Sequence, residues 1–389
     1  MRIFKKLWQS QTLSTGLAIF SMLFGAGNLM FPLKLGIIAG TANWCALTGF
    51  LITGVLLPVA GLISVLLFDG NYHAFFGRAG KIPGALLTFF CILILGPLIA
   101  MPRIVTLSYV MMSQTLPAGV SLTVFTIFFL GITYALTYRQ NKIVDILGTV
   151  ISPILVLCLG IIILKGLLFP AHGATVYSDQ LTPLFGHALL YGYNTLDLLG
   201  SIFFSAIIVR LLCSSEKSAS CHTLALLGLR AGFIGSGLLA LVYIGLSYVG
   251  VFNGAGLELI GEGHVFSAVA FRVLGFEGAF ITSAAVLMAC LSTIIALAAV
   301  VAEYVQNILA DGSISFEWAL AFVLGLTALT SHYGLDAILQ FSSSIIINGY
   351  PLIITLTLCN LAYKLWGVQT VKLPLAVVAI ISLAKLLFY

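Results

Sequence analysis

The chain has 389 residues, of which 61% are hydrophobic and only 7% charged, and its mean hydropathy is +1.16. This balance excludes a soluble globular domain and is typical of a polytopic membrane protein. The net charge of +5 gives no reason to expect a nucleic-acid partner, because basic residues of a membrane protein collect in the loops on one side of the bilayer.

Apolar stretches of about 20 residues, long enough to cross a bilayer as helices, follow one another along the whole chain. They predict eleven spans in a single membrane domain, 1–389, at 12–38, 43–67, 83–114, 119–137, 143–169, 188–212, 224–251, 276–309, 316–333, 337–362 and 371–388. The first stretch is too long for a signal peptide and contains Asn and Pro, so we expect it to be retained as a span.

The first predicted span is interrupted in its middle by Gly25, Ala26, Gly27 and Asn28. A broken helix in hydrocarbon leaves backbone N–H and C=O groups unpaired at a cost of several kcal/mol each, so it is tolerated only where it lines a cavity or a binding site. Many secondary transporters bind their solutes at such breaks. The alternative is that Gly25 and Gly27 only allow a neighbouring helix to approach closely.

The third span carries Gly96, Pro97, Pro102 and Arg103, and its two prolines predict a kink. We expect Arg103 to hold this kink by pairing with an acid or with exposed helix-end carbonyls. The alternative is that the guanidinium attracts the carboxylate of a substrate.

The sixth span contains a second break, in which Asn194, Thr195 and Asp197 lie between two glycines. Asp197 is interpreted as a cation or proton site, as a contact for a substrate ammonium, or as the N-cap of the second half of the span. This break lies five spans after the first one, as in transporters built from two inverted halves. The pattern predicts two five-helix repeats and an additional helix, at 12–169, 188–364 and 371–388.

The eighth span places two adjacent hydroxyls, Ser292 and Thr293, among alanines and leucines. Hydroxyl and backbone carbonyl oxygens are the ligands that a hard monovalent cation such as Na+ requires, so a cation site is expected here. The alternative is that both hydroxyls bond back to carbonyls of their own helix.

Basic residues favour a cytoplasmic N-terminus, because the even-to-odd connections, which then lie on the cytoplasmic side, carry most of them. On that side would lie Arg2, Lys5, Lys6, Arg78, Lys81, Arg139, Lys142, Arg210, Lys217, Lys364 and Lys372. An odd number of spans would leave the C-terminus outside. The sequence contains no H-E-x-x-H, G-x-S-x-G or P-loop motif, so neither an enzyme nor an ATP-driven pump is expected.

Five blocks, in family order across almost the whole chain, resemble the signature of the BrnQ-type branched-chain amino acid:cation symporters. They are Gly25-Ala26-Gly27-Asn28-Leu29-Met30-Phe31-Pro32, Gly96-Pro97-Leu98 with Pro102-Arg103, Gly192-Tyr193 with Thr195-Leu196-Asp197, Ala289-Cys290-Leu291 with Ala302-Glu303, and Gly334-Leu335 with Tyr350-Pro351. This resemblance implies an all-α polytopic membrane protein with a LeuT-like five-plus-five inverted repeat, discontinuous helices 1 and 6, and a place in the bacterial inner membrane. Members of the family commonly have twelve spans, whereas eleven are predicted here.

The resemblance also implies the site residues. The substrate site would consist of Gly25, Ala26, Gly27, Asn28, Tyr193, Asn194, Thr195 and Asp197. The first half-helix break would offer free N–H groups to a carboxylate, as the N-terminus of a helix does. The Na+ site would consist of carbonyls near Ser21 and Phe24 with the hydroxyls of Ser292 and Thr293.

The function expected from this resemblance is import of leucine, isoleucine and valine with Na+ by alternating access. The expected partners are a neutral aliphatic amino acid and the lipid bilayer. One alternative is an H+-coupled carrier of another neutral amino acid such as methionine, with Asp197 as the coupling residue. The other is an amino acid sensor that binds without transporting.

Overall fold

The computed structural model describes residues 11–117, 119–139, 143–177, 180–215 and 221–388. Helices make up nearly all of these residues, and no strand occurs among them. The fold is therefore all-α, as the hydropathy predicts.

The described residues of the first half of the chain form ten α-helices, and short π-helical turns continue three of them. They are α1 (Gln11–Leu23), α2 (Ala26–Ala39), α3 (Asn43–Leu51), α4 (Leu57–Leu66), α5 (Tyr72–Gly77), α6 (Lys81–Leu93), α7 (Ala100–Met112), α8 (Leu122–Thr137), α9 (Ile143–Ile146) and α10 (Ser152–Leu168). The π-turns Ile52–Leu56, Ile94–Leu98 and Leu147–Ile151 join α3 to α4, α6 to α7 and α9 to α10.

In the second half, the part of the chain that the structure describes forms eight α-helices. They are α11 (Leu181–Tyr193), α12 (Asp197–Ser215), α13 (Cys221–Asn253), α14 (Glu262–Leu274), α15 (Ala279–Tyr304), α16 (Phe316–Ser331), α17 (Leu335–Trp366) and α18 (Lys372–Phe388).

Helices occupy all eleven stretches that the sequence predicts as spans. Seven described helical stretches are long and apolar enough to cross a membrane, or eight if the bent pair Phe316–Ser331 and Leu335–Ser343 forms one span. The number is below eleven partly because the first predicted span is divided after Leu23, and its second half continues into the 41-residue stretch Ala26–Leu66. Two further apolar helices, Leu122–Thr137 and Lys372–Ala384, are shorter than 18 residues. The chain is thus a multi-pass membrane protein with discontinuous helices.

The two predicted breaks are present. At the first, α1 ends at Leu23 and α2 begins at Ala26 after the extended residue Gly25. At the second, α11 ends at Tyr193 and α12 begins at Asp197. Each break leaves a half-helix end inside the bundle.

Both halves of the first span pack mainly against α13. Within α2 every residue except Ile38 is buried, including the polar Asn28 and Lys34. A helix that is buried on all sides lies in the core of a bundle. The first break is therefore held at the centre of the molecule.

Candidate functional site

A cavity lies between the two breaks and contains about 470 Å³ of space not filled by atoms. Its walls come from both half-helices of the first span, from the π-turn Ile94–Leu98 and from α7, the second break, α12 and α15. Among the predicted site residues, those that line it are Gly25, Ala26, Gly27, Asn28, Thr195, Asp197 and Thr293.

The N-terminus of α2 opens into this cavity at Gly25, Ala26 and Gly27. No side chain caps it, and the N–H of Asn28 is the first to bond back, to the carbonyl of Gly25 at 3.1 Å. Uncapped N–H groups and the positive end of the helix dipole together favour an anionic ligand group.

The second break is organised by Thr195. Its hydroxyl donates to the carbonyl of Gly192 at 2.8 Å and accepts a bond from the N–H of Asp197 at 3.4 Å. Between them, Leu196 has φ of 64°, a left-handed conformation that disfavours a side chain. Strained residues of this kind cost about 1–3 kcal/mol and occur mainly at functional sites.

A buried hydrogen-bond network connects the two breaks. Oδ2 of Asp197 accepts a bond from Nδ2 of Asn28 at 2.8 Å and one from the hydroxyl of Tyr243 at 2.7 Å. Nδ2 of Asn28 also donates to the Tyr243 hydroxyl. These bonds join α2, α12 and α13.

Sequence reasoning missed Tyr243. Its side chain is fully buried, and its ring packs edge-on against Phe50 with the centroids 5.0 Å apart. The signal available in the sequence was a tyrosine in the middle of an apolar span, which needs a partner for its hydroxyl.

Tyr193 and Asn194, predicted as substrate contacts, do not line the cavity. The reason is that α11 continues to Tyr193, so the break begins later than predicted. The ring of Tyr193 lies 5.4 Å from that of Tyr350 in α17, and the N–H of Asn194 bonds to the carbonyl of Leu190. Both residues are held by helix packing.

The predicted cation ligands are partly brought together. The hydroxyl of Thr293 donates a hydrogen bond to the carbonyl of Ser21 at 3.5 Å, so these two predicted ligand oxygens lie side by side. The hydroxyl of Ser292 instead bonds to Ala289 in its own helix at 2.9 Å, as in the alternative reading of this pair. Phe24 is buried, with its ring stacked on Phe20 at 5.2 Å.

The kink in the third span is held by a residue other than Arg103. Gly96 leaves the helical conformation, with φ of −89° and ψ of −133°. The hydroxyl of Thr330, in α16, donates to the carbonyl of Pro97 at 2.7 Å. The expectation that Arg103 bonds to an acid or to helix-end carbonyls is therefore wrong for the described residues, among which its side chain forms no hydrogen bond or ion pair.

Arg103 instead lines the cavity, although its side chain is only 5% exposed. The guanidinium carbon lies 5.2 Å from the centre of the Phe31 ring. A Cβ atom added to Gly27 would lie 2.6 Å from a guanidinium nitrogen, so the first turn of α2 and Arg103 are in close contact. The site thus combines a buried cation, a buried carboxylate and a helix N-terminus.

Solved structures with the same fold include transporters. The chain resembles Mhp1, a nucleobase-cation-symport-1 family transporter in a closed conformation, with a TM-score of 0.64 and 14% identity, over 91% of this chain and 78% of that one. It also resembles a Na+-coupled sialic acid symporter with a TM-score of 0.62 and 12% identity, over 98% of this chain and 91% of that one. At these identities the likeness shows the LeuT-like fold alone.

Sequence relatives are closer. The chain is 32% identical to the branched-chain amino acid permease BraB of Bacillus subtilis over 91% of this chain and 80% of the relative. It is 31% identical to the branched-chain amino acid permease BrnQ of Corynebacterium glutamicum over 91% of this chain and 81% of the relative. It is 27% identical to BrnQ of Escherichia coli, again over 91% of this chain and 81% of the relative. A family model described as branched-chain amino acid transport protein matches residues 8–388. The chain therefore belongs to the branched-chain amino acid transport protein family.

Proposed function

We propose that this protein imports leucine, isoleucine and valine together with a cation. The observation that carries the proposal is the cavity between two helix breaks, because half-helix ends at the midplane are where transporters of this fold bind solute and ion. Family membership and the names of the relatives support the substrate class.

The apolar walls of the cavity suit a branched aliphatic side chain. They include Leu23, Leu95, Ile104 and Phe204. Burial of each methylene there contributes about 1–3 kcal/mol to discrimination, so the proposal places methionine close behind the branched-chain amino acids. The protein would exclude small and charged amino acids more strongly.

The proposed coupling ion is Na+, with the carbonyls of Ser21 and Phe24 and the hydroxyls of Ser292 and Thr293 as ligands. Support comes from the position of Thr293, which touches both the end of α1 and the cavity. A cation there would order the first break and so raise the affinity for substrate, and substrate would raise the affinity for the cation by the same factor. Entry of one Na+ across 100 mV contributes about 2.3 kcal/mol, enough for roughly 50-fold accumulation.

H+ is the second candidate for the coupling ion. The observation that favours it is the burial of Asp197, which is only 4% exposed, inside the bundle and beside the cavity. A carboxyl at membrane depth can carry a proton through alternating access.

Transport would proceed by rocking of the broken-helix bundle around the central site. We place the protein in the bacterial inner membrane with a cytoplasmic N-terminus, on the basic residues of its loops. Five of these, Arg2, Lys5, Lys6, Lys142 and Lys217, lie outside the described residues.

The test is uptake of labelled leucine, isoleucine, valine and methionine into proteoliposomes. One arm has an inward Na+ gradient, and the other has a pH gradient in Na+-free buffer. Saturable accumulation in the first arm supports Na+ symport, and accumulation only in the second assigns coupling to H+. Binding of leucine by folded protein without accumulation in either arm would make the protein a sensor, and no binding would refute the substrate class.

A further inference from the structure

We propose that the substrate is held as a zwitterion between two buried charges, with its carboxylate on Arg103 and its ammonium on Asp197. This inference rests on the proposed function and adds the two residues that read the charged groups of the amino acid. It would make the protein reject amines and carboxylic acids with the same side chain.

The first step is the state of Arg103. A guanidinium offers five N–H donors, and burying them without partners is costly. The side chain is 5% exposed, forms none of the hydrogen bonds or ion pairs recorded for the described part of the chain, and lines the cavity. Its donors are therefore available to a ligand that enters there.

The second step is the remaining acceptor capacity of Asp197. Asn28 and Tyr243 donate to Oδ2, and the Thr195 side chain is a further hydrogen-bond partner of the carboxylate. Asp197 lines the same cavity as Arg103. A carboxylate has about four acceptor sites, so these three bonds leave capacity for an ammonium group.

The third step is the gap between the charges. Arg103 and Asp197 attract each other, but no nitrogen of the guanidinium lies within 4.0 Å of a carboxylate oxygen, which is the limit for an ion pair. The cavity therefore presents separated charges of opposite sign. A zwitterion satisfies both and adds no net charge, whereas a ligand with one charged group leaves the other residue unpaired.

The N-terminus of α2 supports the same orientation. Gly27 lies against the guanidinium, so the uncapped N–H groups and Arg103 offer positive charge at one end of the cavity. Lysine would be a poor substitute for Arg103, because only the planar guanidinium binds a carboxylate with two parallel bonds.

A competing role for Arg103 is a contact with Glu262, a half-buried residue of α14 whose charge also acts on the guanidinium. The two form no ion pair within the described part of the structure. If they pair in another conformation, Arg103 would belong to the closure of the site and would not recognise the substrate.

The test is competition against labelled leucine on the purified protein in nanodiscs. The competitors are leucine, leucinamide, which lacks the carboxylate, and 4-methylpentanoate, which lacks the ammonium. For the unchanged protein we expect leucine to compete roughly 100-fold better than either analogue. Leucinamide or 4-methylpentanoate competing as well as leucine would overturn the inference while leaving the proposed function intact.

The variants separate recognition from structure. Arg103→Gln is expected to remove the preference for leucine over leucinamide but to keep the one over 4-methylpentanoate. Asp197→Asn is expected to remove the preference for leucine over 4-methylpentanoate but to keep the one over leucinamide. Arg103→Lys is expected to keep a small part of the preference for leucine over leucinamide. Equal losses for all three ligands would indicate a structural role and refute the inference.

Two controls complete the design. Arg139→Gln removes an exposed arginine far in sequence from either break and is expected to leave both preferences unchanged. Glu262→Gln is also expected to leave both preferences unchanged. If Glu262→Gln instead removes the preference for leucine over leucinamide, as Arg103→Gln is expected to do, the arginine acts through Glu262. Absence of leucine binding by the unchanged, folded protein would overturn the proposed function and this inference together.

Discussion

Asp197 receives two hydrogen bonds on the same oxygen, and both donors come from other helices. Asn28 belongs to α2 and Tyr243 to α13, so the carboxylate takes its orientation from the tertiary packing of three helices. A hydrogen bond to a charged group contributes about 1.5–3 kcal/mol, which is enough to fix which oxygen faces the cavity.

Tyr243→Phe removes one of these donors without changing the packing of the ring. We expect the affinity for leucine to fall about tenfold, because the carboxylate loses part of its orientation. Isothermal titration of leucine into the purified protein measures the change. Tyr248→Phe is the matched control, since Tyr248 lies on the same helix and stacks on Phe252. An unchanged affinity in Tyr243→Phe would show that the tyrosine has no part in binding.

The two hydroxyls of the eighth span differ in their contacts, so their substitutions are expected to differ. Thr293→Val removes the oxygen that lies 3.5 Å from the Ser21 carbonyl, and we expect the Na+ concentration for half-maximal leucine uptake to rise about tenfold. Ser292→Ala is expected to have a smaller effect, because its hydroxyl bonds to Ala289 in its own helix.

Leucine uptake at a series of Na+ concentrations gives the half-maximal Na+ concentration for both variants. Thr282→Val, in the same helix, removes a hydroxyl bonded to the Gly278 carbonyl and serves as the control. Retained Na+ stimulation in the double variant Ser292→Ala, Thr293→Val would refute the proposed Na+ site.

At the scale of helices, the contact between α2 and α13 depends on glycine. A Cβ atom added to Gly36 would lie 1.9 Å from the carbonyl oxygen of Ser247, and one added to Gly250 would lie 2.4 Å from that of Leu33. Backbone atoms cannot yield as a flexible side chain can. The two helices therefore pack as closely as their backbones allow, in the manner of small-residue contacts between membrane helices.

Gly36→Ala is expected to destabilise the protein by about 1–3 kcal/mol, because α2 and α13 must separate to admit the methyl group. Thermal unfolding in detergent, with and without leucine, measures the loss. Gly160→Ala is the matched control, since a Cβ atom there meets nothing within 4 Å and alanine favours the helix. Equal unfolding temperatures for the two variants would contradict the tight contact.

The sequence predicts both breaks well but predicts their partners poorly. Gly25, Gly27 and Asp197 are polar or flexible residues in apolar runs, and that local contrast reveals them. Tyr243 and Thr330 act on groups 46 and 233 residues away, and no local pattern encodes such a pairing. Tyr193, predicted as a substrate contact, lies outside the cavity lining for a different reason, since the exact residue at which a helix ends is the least predictable feature of a span.

At the scale of the whole molecule, polar contacts lie on both sides of the central site. Arg210, in α12, forms an ion pair of 2.6 Å with Glu303 in α15. Toward the other end of the bundle, Nζ of Lys34 donates to the carbonyls of Glu258 and Ile260 at 2.6 and 3.1 Å, just before α14 begins. In an alternating-access mechanism such contacts would break in turn.

Glu303→Gln is expected to weaken closure at the Arg210 end and to raise the concentration of external leucine for half-maximal uptake by at most about fivefold. The limit follows from the exposure of the pair, 52% for Arg210 and 26% for Glu303, because exposed ion pairs contribute only about 0–1 kcal/mol. Transport kinetics measure the change, and the exchanged pair Arg210→Glu, Glu303→Arg is expected to restore it. A larger loss that the exchange does not reverse would assign Glu303 a role beyond the ion pair.

The burial of α2 against α13 has a consequence for biosynthesis. About 200 residues separate the two helices, so at roughly 5–20 residues per second the ribosome needs some 10–40 s to supply the partner. During that interval Asn28 and Lys34 face lipid, the translocon or a chaperone without the hydrogen bonds of the finished protein. A nascent chain that stops short of Tyr243 would therefore present membrane quality-control proteases with an unsatisfied polar helix, and full-length synthesis would remove that signal.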